Sequence, residues 1–191
     1  MKTLYATIKQ IFLAVLLMLA MTSCLSDLSY QEAITKNQRK IDDPEKLDDA
    51  KFLVEAKSFN LAEKRLTELA STNGYASTVV ETAKKHLEDH KDMEDDLSQL
   101  ARRERIKLPS DMNDEHQAYV GDLAKADRDD FDKEFLQTMK KLNEENTQRF
   151  MSMATDAQDA DIRAFSARKL DMLRAHADQI ERIEKELLNT Y

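Results

Sequence analysis

Only two glycines and two prolines punctuate 191 residues, and this scarcity of turn formers is the tightest constraint on the fold. A sheet-rich or α/β chain needs a reversal every ten residues or so, supplied mostly by Gly, Pro, Asn and Asp. Here the alternative is a few long helices. Composition agrees: there is no Trp, aromatics make up 6% and charged residues 35%, with Leu, Ala, Glu, Lys and Met prominent, as in long helices. The length suits one domain.

Hydrophobic spacing locates the helices. Asp43, Pro44 and Glu45 supply a cap acceptor, a proline at the first helical position and an acid in the first turn. The seam that follows is Phe52, Ala56, Phe59, Leu66 and Ala70, and Asn73-Gly74 predicts a left-handed stop. A second helix with Val79, Ala83, Leu87, Met93, Leu97 and Leu100 ends by Leu108-Pro109, and the tight turn makes the pair a hairpin. Ser110 or Asp111 caps a short crossover helix carrying Tyr119, Val120 and Leu123, weakened by Gly121. A third long helix holds Phe131, Phe135, Met139, Leu142, Phe150 and Met153. Thr155 and Gln158 form a capping box for the last, which holds Ile162, Phe165, Leu173, Ile180, Ile183 and Leu187. The expected fold is all-α: a four-helix bundle with an extra short helix in the long second crossover.

Upstream of this the chain changes character. Lys2 and Lys9 precede an apolar run over 11–21, then Thr22, Ser23 and Cys24, the layout of a signal peptide. Eleven apolar residues fall short of the roughly 20 a spanning helix needs. The stretch Leu19-Ala20-Met21-Thr22-Ser23-Cys24 resembles a bacterial lipobox, with Met21 in place of the commoner Leu. That resemblance implies cleavage after residue 23 and lipid attachment at Cys24, the only cysteine in the chain. Residues 1–23 are then a lipoprotein signal peptide, 24–43 a flexible tether, with a helical start within 30–39 as the alternative, and 44–191 the bundle. Leu25, where an Asp resembles an inner-membrane retention signal, favours the outer membrane, with the domain in the periplasm or at the cell surface.

The formal charge of −8 becomes −10 once Lys2 and Lys9 are removed, which disfavours nucleic acid as a partner. Arg102, Arg103, Arg105 and Lys107 lie where the second long helix ends and read as complements to its dipole. The partner implied is the membrane, through the lipid; no protein partner or oligomeric state is legible.

Four seam positions are polar: Glu63, His90, Asn143 and His176. Inward polar groups pair with each other, hold water or ligate metal. Metal candidates are Glu63, His86, His90 and His176, and His86 with His90 share one face a turn apart. Yet the residues three before His86, His90, His116 and His176 are Ala83, Leu87, Asn113 and Leu173, so the Glu-x-x-His pair of di-iron bundles is absent. Counting 1.5 Å per residue from the turns sets Glu63 nearer His86 than His90 and does not require the four to meet. No nucleophile elbow or phosphate-binding glycine loop exists. The reading is therefore a non-catalytic protein with no cofactor. The alternative is a metal-binding or oxidative one.

Asp89-His90, Leu108-Pro109, Phe131-Asp132 and the stretch over 170–176, with Leu170 and His176, resemble in order and spacing the bacterial family of ferritin-like proteins catalogued as domain of unknown function 4142. The resemblance covers roughly 51–183 and implies a ferritin-like bundle, usually exported and often lipid-anchored, without established activity. Two positions depart from the family: Leu142-Asn143 replaces its second Asp-His pair, and Asp171 stands where Pro is usual. Exchanging imidazole for an amide removes a strong metal ligand.

Intact-mass analysis of the mature protein is expected to show an acylated Cys24 at its N-terminus. Labelling by a fatty-acid analogue is expected to vanish in Cys24→Ser. An unacylated cysteine in the mature chain removes the anchor.

Overall fold

The computed structural model describes residues 27–188, so residues 1–26, including Cys24 and the expected signal peptide, lie outside the described residues. Among those described there are six helices and no strand: α1 Tyr30–Gln38, α2 Pro44–Asn73, α3 Ser77–Arg103, α4 Asp114–Leu123, α5 Phe131–Asp156 and α6 Ala160–Leu188. The chain is all-α, a helical bundle. None of these helices is long and apolar enough to cross a membrane.

The long helices pack as two hairpins, α2 with α3 and α5 with α6, and the hairpins meet along α2–α5 and α3–α6. Two carboxylates fix their alignment. Asp132 at the start of α5 accepts the N–H groups of Tyr75 and Ala76, in the α2–α3 turn, at 3.0 and 2.7 Å. Asp49, buried near the start of α2, accepts those of Gln158 and Asp159, in the α5–α6 turn, at 3.1 and 2.9 Å. The α2–α3 turn therefore lies at one end of the bundle and the α5–α6 turn at the other. Helix α5 runs antiparallel to α2, and the link from α3 to α5, carrying α4, crosses the bundle's length.

The predicted seams are the core. Phe59, Phe135, Phe150 and Phe165 are fully buried, and Phe52 meets Phe150 edge-on at 5.0 Å. The α2 start also holds as read: Asp43 accepts the Glu45 and Lys46 N–H groups at 3.0 and 3.4 Å.

Several local expectations are corrected. The span read as part of a tether is folded from Leu28 to Gln38. Ser29 and Glu32 form a reciprocal capping box on α1, and Leu28 with Ala33 packs on Val54 of α2. So short a helix has little periodicity to reveal it; tertiary packing holds it. Gly74 is not left-handed (φ −56°, ψ 140°). Its role is space, since a Cβ there would meet the Ala70 carbonyl oxygen at 2.7 Å and Val80 Cγ2 at 3.0 Å.

The expected caps move too. Helix α4 is capped by Asn113, whose side chain accepts the His116 N–H at 2.8 Å. Ser110 and Asp111 are engaged with the N-terminal segment instead: both the Ser110 N–H and its hydroxyl donate to the Leu28 carbonyl, and Asp111 accepts the Tyr30 N–H. Helix α6 is capped by Asp159, which accepts the N–H groups of Asp161 and Ile162. Thr155 turns back to the Met151 carbonyl.

Helix α3 stops in a Schellman motif. Ile106 donates to the Ala101 carbonyl at 2.8 Å and Arg105 to that of Arg102 at 3.2 Å. The left-handed residue this requires is Arg105, with φ 58°, a conformation that suits glycine and strains other L-residues. Arg105→Gly is therefore expected to raise stability by about 0.5–1 kcal/mol, measured by urea unfolding. An unchanged or lower midpoint would show that no strain resides there.

Candidate functional site

Midway along the bundle the apolar seams are interrupted by one polar layer. Helix α2 contributes Asn60 and Glu63, α3 contributes His86 and His90, α5 Asn143 and α6 His176; five are fully buried and His176 is 2% exposed. All four polar seam residues of the sequence reading thus come together, with His86.

The pairing differs from that expected. Glu63 faces His90, not His86, with Oε2 and Nε2 3.5 Å apart. Counting residues from the turn ignores side-chain direction: Cα–Cβ bonds lean toward each helix's N-terminus. In the antiparallel α2–α3 pair Glu63 leans away from the turn and His90 toward it, which closes their difference in height. His90 Nδ1 and Asn60 Oδ1 are 2.9 Å apart. The amide oxygen only accepts, so Nδ1 carries the proton and Nε2 offers its lone pair toward Glu63. Asn143 Nδ2 donates to the Met139 carbonyl at 3.0 Å and reaches Glu63 Oε1 at 3.4 Å.

On the other side of the layer His176 Nε2 donates to Asp89 Oδ2 at 2.9 Å. Its ring lies flat on that of His86, centroids 3.6 Å apart and planes 13° from parallel. The His90 ring is 5.4 Å from His176. Sequence reasoning missed Asn60 and the role of Asp89. Asn60 lies one turn before Glu63 and so shares its face, a signal available in the seam; Asp89 adjoins His90 in sequence but serves His176.

Burial decides the charges. Glu63 is held well above the ordinary carboxyl range by desolvation, and desolvation first, then the neighbouring His176 and His86, hold His90 well below the imidazole range. Desolvation pulls His86 down to about 3, aided by His176 and Lys85 and opposed by nearby Gln179. His176 is lowered by burial and lifted in part by Asp89. Burial thus favours the uncharged forms throughout the layer, a protonated Glu63 and neutral imidazoles.

Hydrogen bonding is incomplete. Asn60 Nδ2, Glu63 Oε2, both nitrogens of His86, His90 Nε2, Asn143 Oδ1 and His176 Nδ1 are buried without a close protein partner, and a buried polar atom left wholly unbonded costs about 1–3 kcal/mol.

His86 and His176 are not placed to share a metal ion. An imidazole ligand places the ion in its ring plane at roughly 2 Å, and the nearly parallel planes of His86 and His176 share no such point. One nitrogen of His90 and one of His176 are engaged with Asn60 and Asp89. No group of three or more His, Cys, Asp or Glu side chains among the described residues has the arrangement to hold a metal. What the layer offers is polar side chains from four helices brought together inside the core. A cleft of about 760 Å³, lined by Tyr75, Arg128, Asp132, Leu136 and Leu187 among others, lies at the α2–α3 turn end and includes none of these residues.

A family model described as domain of unknown function (DUF4142) matches residues 35–183, from within α1 into α6. No curated protein and no solved structure matches the chain.

Acid should weaken this fold through the imidazoles. Their folded-state pKa values are depressed, so below 6.5 the unfolded chain binds protons the native state refuses, and stability falls as pH drops toward the folded values. Each such histidine steepens the loss by up to about 1.4 kcal/mol per pH unit. His86→Phe, which exchanges an unpaired imidazole for a ring without titration, is expected to remove close to one proton from the uptake on unfolding near pH 5. Urea unfolding at a series of pH values measures this, and an unchanged slope would refute the neutral buried imidazole.

Proposed function

The chain belongs to the family described as domain of unknown function (DUF4142), and on that premise we propose that it is a lipid-anchored protein of the bacterial cell envelope whose ferritin-like four-helix bundle acts by binding rather than by catalysis. Two antiparallel hairpins joined by one long crossover are the connectivity of ferritin-like bundles, and the clamps at Asp49 and Asp132 support it here. The anchor is Cys24, in the stretch that resembles a lipobox, and the outer membrane is favoured by Leu25. A role in partner binding or envelope maintenance suits a bundle whose charged residues lie mostly on solvated helix faces.

The observation that carries the non-catalytic reading is the orientation of the inward imidazoles: each keeps a nitrogen without a protein partner, but among the described residues no three donors converge on one ion position. His90 is committed to Asn60 and His176 to Asp89, and His86 lies face-on to His176. Reactions run by ferritin-like oxidases need carboxylates and imidazoles converging on open metal positions. In this layer one carboxyl is protonated and the helix α5 position is an amide.

The test is elemental analysis of the protein, purified without a histidine tag, together with its rate of ferrous-iron oxidation. No stoichiometric metal and no oxidation above the protein-free rate are expected. Stoichiometric metal that is lost in His90→Ala would replace this reading with the metal-binding or oxidative one.

A further inference from the structure

The basic residues read from the sequence as the end of one helix are half of a larger patch. The end of α1 and the loop after α3, some 65–70 residues apart in sequence, are stitched together: Asn37 Nδ2 donates to the Lys107 carbonyl and the Lys107 N–H to Asn37 Oδ1, both at 2.9 Å, and Lys40 Nζ donates to the Arg105 carbonyl at 3.2 Å. This sets the exposed Arg39, Lys40, Arg105 and Lys107 beside one another, next to the exposed Arg102 and Arg103 of the last turn of α3. Of the acids bordering it, Asp161 pairs with Arg103 at 3.2 Å, Asp111 accepts the Tyr30 N–H, and Glu104 is a single acid among the six basic residues. A concentration of positive charge on a chain of formal charge −8 calls for an anionic counterpart.

The same flank holds the point where the described chain begins. The Leu28 carbonyl accepts two hydrogen bonds from Ser110, three residues from Lys107. Only 25–27 separate Cys24 from Leu28, so covalent reach limits the two Cα atoms to about 14 Å. A lipid on Cys24 therefore brings this flank down to the bilayer, not out on a twenty-residue leash.

From the two observations together we propose that the patch formed by the end of α1 and the loop after α3 docks on a bilayer of anionic phospholipid, turning the domain to one face. The inference rests on the lipid anchor proposed above for its distance argument. Each Lys or Arg close to an anionic surface strengthens adsorption roughly fivefold, and the effect fades beyond a Debye length of about 8 Å at physiological salt. The cleft at the α2–α3 turn lies at the other end of the bundle from the loop after α3 and stays open to the aqueous side.

The experiment uses the acylated mature protein with vesicles of phosphatidylcholine alone or doped with phosphatidylglycerol, reading co-sedimentation and amide hydrogen exchange. Expected is sedimentation with both, with exchange over 36–40 and 102–107 slowed at least about tenfold only on the anionic vesicles. High salt should abolish the slowing, as should Arg102→Glu with Lys107→Glu. The remote reversal Lys91→Glu, on the exposed side of α3, should leave it intact.

Equal exchange on both vesicle types would overturn the docking while leaving the anchor. Sedimentation with anionic vesicles only, with the protection retained, would sink the anchor and keep the patch. Sedimentation with neither would sink both. Equal protection by inorganic phosphate in solution would overturn the bilayer as the ligand.

Discussion

Taking a carboxyl group and three imidazoles out of water is the constraint around which this bundle is arranged. An isolated buried charge is too costly to keep, so a buried group either pairs or gives up its charge. Here both occur. Glu63 keeps its proton, His86 and His90 decline theirs, and His176 is the one imidazole with a carboxylate partner, at the half-exposed Asp89. Charge lies at the edge of the layer and neutrality at its centre, the order that desolvation imposes.

What could be read from the sequence follows the length scale of the signal. The α2 start at Asp43-Pro44, the α5 start at Phe131 and the long apolar seams were legible because each rests on many residues or on strict backbone chemistry. Single-residue signals did worse. Asn73-Gly74 suggested a left-handed stop, yet Gly74 is there because the helices approach too closely for a Cβ, and the left-handed residue is Arg105. Ser110 and Asp111 have the chemistry of caps, but Leu28 and Tyr30 claim them. A cap residue displays its chemistry in sequence and its partner only in three dimensions.

The membership of the polar layer was legible and its pairing was not. Polar residues at helical spacing among Leu and Phe can be counted, so Glu63, His90, Asn143 and His176 stood out. Their contacts depend on the direction of side chains and on the stagger of antiparallel helices, neither of which a residue count supplies. Asp132 and Asp49 set that stagger by holding each turn against the opposite hairpin. Both acids would pass as ordinary surface residues in the sequence, because the groups they bind are main-chain N–H groups with no signature of their own.

The layer costs stability at every pH, and the sign can be worked through. Below 6.5 the unfolded histidines take up protons that the native state excludes; above 4.5 the unfolded Glu63 releases a proton that the native state retains. The two windows overlap, so there is no pH at which the whole layer folds without a penalty. What it supplies is discrimination. Sliding α3 along α2 by one turn, about 5.4 Å, would keep apolar residues facing apolar residues but would carry His90 away from Asn60 and Glu63, and Asp89 away from His176. Each lost contact strands another buried polar atom, whereas a purely apolar seam would tolerate the slip. The polar layer thus selects one register among several that hydrophobic burial alone would leave nearly equal, and the carboxylate clamps at the two ends enforce the same one.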